Sequence, residues 1–108
     1  MAGTRVLSPV AGEALGLLGD RVRLGRRQRR WTVEGLAERV GVSPTTIRKV
    51  ERGDATVAIG TAFEAAVLVG VALFHDEPAR RALEGDAVAA RLALLPAVVR
   101  PLTIDDDF

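Results

Sequence analysis

The stretch 31–53, WTVEGLAERVGVSPTTIRKVERG, decides how this chain folds. Thr32 stands where a helix begins: its hydroxyl suits an N-cap, and Glu34 places negative charge at the positive end of the helix dipole. Leu36, Ala37 and Val40 then form an apolar stripe. Gly41 follows, and glycine takes the left-handed cap conformation without steric cost, so the helix stops there. Ser43 and Pro44 restart the chain as N-cap and first residue of another helix, the position where proline's missing N–H costs nothing. Ile47 and Val50, three apart, face inward, which leaves Thr45, Thr46, Arg48, Lys49 and Arg52 outward until Gly53 terminates the helix.

Two helices crossing steeply need a small residue at their closest approach, a tight turn, and apolar residues holding the second helix down. Ala37, Gly41, Ile47 and Val50 meet those demands in order. Six arginines lie just upstream: Arg21, Arg23, Arg26, Arg27, Arg29 and Arg30. They belong to a helix expected over 14–30, with Leu15, Leu18, Val22 and Gly25 at helical spacing on its inner face. Residues 1–13 carry Gly, Pro and Ser without periodicity and are expected to be a flexible arm.

Downstream, a fourth helix is expected from Ala58 to Val69, capped by Gly70. Pro78 and Gly85 bracket a weaker helical piece, and Asp86 is placed to cap a last helix that runs through Leu95 to Pro96. Residues 97–104 are β-branched and apolar but contain Pro101, so they are at best an edge strand. Asp105, Asp106, Asp107 and Phe108 form an acidic tail.

Composition bounds the chemistry. The 108 residues are 48% hydrophobic with few aromatics, which fits one small aliphatic core. There is no cysteine, so disulfides, thiol nucleophiles and cysteine-ligated metals are excluded. The single histidine, His75, sits beside Asp76 and Glu77 and makes a poor metal site. No nucleophile–base pair can be assembled, so an enzyme is not expected, nor any cofactor or metal. Gly12, Gly16, Gly19 and Gly25 form no phosphate-binding loop, since no strand precedes them and no GK[ST] follows. The stretch 57–74 is too short and mixed to span a membrane, and the opening MAGTRVLSPVAGEALGLL lacks the features of a secretory signal. A cytoplasmic, nucleoid-associated protein is expected.

The net charge of +1 conceals an asymmetry. Residues 1–52 hold eleven cations against five acids; residues 53–108 hold four against nine. A basic half followed by an acidic half points to two different partners, one of them polyanionic.

The wider text DRVRLGRRQRRWT, LAERVGVS and TIRKVERG resembles the xenobiotic-response-element/Cro repressor family over roughly 19–70. The resemblance implies an all-α fold of about five helices, a helix-turn-helix domain over 14–70, and a dimer whose third helices enter successive major grooves. Carried over by position, it assigns base reading to Pro44, Thr45 and Lys49, with Thr46 and Arg48 nearby. A cation donates to guanine O6 and N7, and a threonine methyl packs on a thymine methyl. Thr32, Ser43, Arg27, Arg30 and Arg52 are the candidates for phosphate contacts, which position the module without reading sequence. Arg26 matches a position that pairs with the acid at Glu51 and is assigned to structure. Two positions depart from the family: Val33 replaces a polar phosphate contact, and Pro44 replaces a side-chain donor. Readout therefore concentrates on Thr45, Arg48 and Lys49.

VALFHDEP, the helix ending at Pro96 and the closing IDDDF resemble HipB-type antitoxins, partners of HipA-type kinase toxins. That resemblance implies dimerisation and toxin contact through 71–104 and the tail 105–108. Three functions follow: a dimeric repressor binding double-stranded DNA and autoregulating its operon, an antitoxin neutralising a kinase toxin, or a coactivator-like interaction module without site-specific DNA binding. Trp31 is expected to plug the core between the first two helices rather than stack on a base.

Overall fold

Ser8 and Pro9 begin the first helix with the same N-cap and first-turn pair that Ser43 and Pro44 use later. In the computed structural model, which describes residues 6–102, α1 runs Pro9–Gln28, with Ser8 Oγ accepting from the Ala11 N–H at 3.3 Å. The expectation of a flexible arm over 1–13 is corrected accordingly: 9–13 are helical, because serine followed by proline supplies both the cap and the fixed φ of a first turn. Residues 1–5 of that arm lie outside the described residues.

Helices α2 (Val33–Val40), α3 (Pro44–Glu51) and α4 (Ile59–Leu68) follow. Each of the first four helices ends in the same way. A residue at the cap (α2) or just after it (α1, α3 and α4) takes a left-handed φ, and the next N–H reaches back five residues to a carbonyl. The bonds are Trp31 to Arg26, Val42 to Ala37, Asp54 to Lys49 and Val71 to Ala66, at 2.8–3.1 Å. Gly41, Gly53 and Gly70 occupy three of the left-handed positions; Arg30, with φ of 60°, occupies the fourth.

The core is where these four helices converge. Val22, Leu36, Ala37, Ile47, Val50, Ala65, Ala66 and Val69 are buried together, with Leu18, Trp31 and Val40 at the edge. Each large aliphatic side chain among them stabilises the fold by about 1.5–3 kcal/mol. α1 also approaches its neighbours through glycine. A Cβ on Gly19 would lie 2.5 Å from the Glu51 carbonyl oxygen, and one on Gly25 would lie 2.5 Å from that of Val69. Gly19, Val22 and Gly25 thus form one inner stripe that lets α1 lie directly on the ends of α3 and α4.

This unit extends to Leu73, a little beyond the expected boundary at 70, and a second begins at Phe74. The second is built on one helix, α5 (Pro78–Ala93). Here two expectations are corrected. Gly85 does not divide the helix, and Asp86 lies within it rather than capping a new one. A single helical glycine costs only about 1 kcal/mol, and the alanines at 79, 82, 87, 89 and 90 favour continuity on both sides. Residues 97–102 form no strand; an edge strand needs a sheet to join, and none exists among the described residues. Residues 103–104 and the acidic tail lie outside the described residues. Near the start of this unit His75 Nε2 meets Glu84 Oε1 at 2.6 Å, and Arg81 donates to the His75 carbonyl. Among the described residues no acidic, histidine or cysteine cluster could hold a metal ion, and no helix is long and apolar enough to cross a membrane.

Candidate nucleic-acid interface

The interface is built from α3 outward. Ser43 Oγ accepts from the Thr46 N–H at 3.2 Å and shares a 3.0 Å hydrogen bond with Thr46 Oγ1. The hydroxyls of Ser43 and Thr46 are therefore linked to each other, whereas Thr45 stands exposed beside them. Ile47, Val50 and Glu51 are buried beneath, so the remaining face of α3 presents Thr45 and Arg48 outward, with Pro44, Thr46 and Lys49 half-buried at its margins.

Glu51 anchors this helix from below. Arg26 Nε donates to Glu51 Oε2 at 2.6 Å and Nη2 to Oε1 at 3.1 Å, a bidentate pair, while Nη1 donates to the Trp31 carbonyl at 2.9 Å. Both side chains are almost fully buried, at 10% and 5% exposure. The hydrogen bonds that Arg26 donates to Glu51 hold its pKa above the ordinary guanidinium value, against burial, which pulls it down. Arg23 adds a longer contact, 3.6 Å from Glu51 Oε1, and reaches toward the Glu51 carbonyl. Sequence reasoning did not assign Arg23 to this cluster. Its position three residues before Arg26, on an adjacent strip of the same helix, was the available signal.

Of the phosphate candidates, Arg27, Arg30, Thr32, Ser43 and Arg52 are all exposed. Thr32 Oγ1 accepts from the Gly35 N–H at 2.9 Å, which leaves its own proton available to donate. Arg52 lies 3.7 Å from Asp54 Oδ2. Asp54 in turn accepts from the hydroxyl and then the N–H of Thr56; these bonds hold its pKa below the usual carboxylate range, with Lys49 and Arg52 adding to the effect.

Two further residues shape the face. Arg48 Nη2 donates to Glu34 Oε2 at 3.2 Å, joining α3 to the first turn of α2. The Arg39 guanidinium lies 4.0 Å from the Trp31 ring centroid, with Arg29 at 5.9 Å. Trp31 packs on the edge of the core and carries a cation over its ring. Neither partner was assigned from sequence, because both contacts join elements whose spacing only the fold defines.

A short α2, a left-handed Gly41 and a capped α3 over a shared core, set against α1 and α4, are the defining parts of one module. The family model for the helix-turn-helix domain matches residues 17–73, more than half of the chain. The chain belongs to the helix-turn-helix domain family. It is of the Cro-like kind; the match takes in α1 from residue 17 through α4, and the described residues hold five helices and no strand. No curated protein and no solved structure matches it. Helix-turn-helix domains of this family are DNA-binding and typically carry no enzymatic activity, which places this chain among DNA-binding regulators.

Proposed function

We propose that this helix-turn-helix protein is a sequence-specific transcriptional repressor that reads the major groove with α3, acts as a dimer and autoregulates its operon. The observation that carries this reading is the outward face of α3, where Thr45 and Arg48 stand clear of a helix held from beneath by Ile47, Val50 and the Arg26–Glu51 pair. Thr45, Arg48 and Lys49 read base edges, with Pro44 and Thr46 lining the approach; Arg27, Arg30, Thr32, Ser43 and Arg52 contact phosphates. Arg26 and Glu51 hold the helix and do not touch DNA. The dimer forms through residues 71–104, and the protein works in the cytoplasm on the nucleoid. Selection of duplexes from a randomised pool by the full chain tests the reading: enrichment of a two-fold symmetric site supports it, and failure to enrich any sequence refutes it.

The charge split favours a second reading, in which the same DNA-binding module belongs to an antitoxin whose acidic half neutralises a HipA-like kinase toxin. Co-purification with the product of a neighbouring kinase-like gene tests this reading. Capture by the full chain and its loss on removal of 105–108 support a tail-mediated contact; unchanged capture by the truncated chain assigns the contact elsewhere.

A further inference from the structure

The contact between Arg48 and Glu34 joins α3 to the first turn of α2, where the Glu34 charge also suits the helix dipole. Both side chains are well exposed, at 52% and 65%, and an ion pair in that setting adds little to stability. A carboxylate beside a DNA-facing helix also repels phosphate and weakens binding to every duplex. Within the readout itself, its effect falls on Arg48. The bond engages a single N–H, on Nη2, and leaves the guanidinium's other donors uncommitted. A guanidinium recognises guanine through a planar fork of parallel N–H groups, so its orientation matters more than its charge.

We propose that Glu34 is a positioning residue for base readout: it tethers Arg48 so that its free N–H fork faces the groove, and it disfavours DNA that offers that fork no acceptor. The inference rests on the reading of α3 as the major-groove helix. Specificity is a difference between two affinities, and Glu34 acts on both. Ordering Arg48 before binding strengthens the cognate contact, because less side-chain freedom is lost on docking. The negative charge weakens binding wherever Arg48 would otherwise settle on a phosphate.

The test uses the full chain, the duplex that the wild-type protein enriches from a randomised pool, and a scrambled duplex of the same composition. Glu34→Gln keeps the shape and removes the charge. It is expected to bind the scrambled duplex several-fold tighter while its specific-to-nonspecific ratio falls about tenfold, within the range of one lost bidentate contact. In an Arg48→Ala background the same substitution should leave the ratio unchanged, since Glu34 then has nothing to position. An unchanged ratio for Glu34→Gln overturns the proposal, as does an equal fall in the Arg48→Ala background. If the wild-type chain enriches no duplex, the underlying reading fails and this inference fails with it; enrichment with an unchanged Glu34→Gln ratio overturns the positioning role alone.

Discussion

Arg26 and Glu51 illustrate how charge can be buried beneath a binding helix when every polar atom is matched. The guanidinium donates to three acceptor atoms and the carboxylate has both of its oxygens engaged, so removing either side chain leaves an uncompensated charge in the core. Glu51→Ala is expected to lower unfolding free energy by about 3–5 kcal/mol in urea denaturation. Gly19→Ala brings a methyl group against the Glu51 carbonyl and should cost about 1–3 kcal/mol by the same measurement. Asp54 supplies a pH signature. Its pKa is depressed in the fold, so its contribution is present above the ordinary carboxylate range and is lost as pH falls through the depressed value. Asp54→Ala should flatten the acid limb of the stability–pH profile, and an unchanged limb would remove Asp54 from that role. The Arg26–Glu51 contact was legible only through resemblance, because a separation of 25 residues carries no periodic signal of its own. Gly19 was not legible: a glycine within a helix reads as a weakness until the backbone lying against it is known.

At the scale of elements, the chain punctuates its helices with two repeated devices. Ser–Pro opens α1 and α3, and a left-handed residue closes α1 through α4. Gly41, Gly53 and Gly70 made three of these ends legible from sequence, as did Thr32 and Ser43 for the starts. Arg30 hid the fourth end, because arginine carries no preference for a positive φ, and the helix was accordingly expected to continue through it. Arg30→Gly should therefore stabilise the fold by about 1 kcal/mol in thermal or urea unfolding while weakening binding to all duplexes alike. Loss of stability would contradict the account of this helix end. The continuity of α5 was missed for the opposite reason: Gly85 and Asp86 resemble a stop and a start, and only the alanine-rich flanks outweigh them.

At the scale of the whole molecule, the asymmetric charge places the binding role in the basic half. Binding of any duplex should weaken steeply with salt as phosphate counterions are recaptured, and Arg27→Ala should reduce the logarithmic salt slope by about 0.9 without altering sequence preference. The helix-turn-helix was readable because its demands are local: a cap, a stripe, a glycine, a second cap. The cross-element contacts that arrange the candidate interface, Arg48 with Glu34 and Arg39 with Trp31, required the fold itself. The central claim is that α3 reads sequence, and Lys49→Ala tests it most directly. Competition binding should compare the duplex enriched by the wild-type chain with a scrambled one. The variant's specific-to-nonspecific ratio is expected to fall by about 1–3 kcal/mol in free-energy terms, while its affinity for scrambled DNA changes far less. An unchanged ratio would contradict the assignment of α3 as the reading helix.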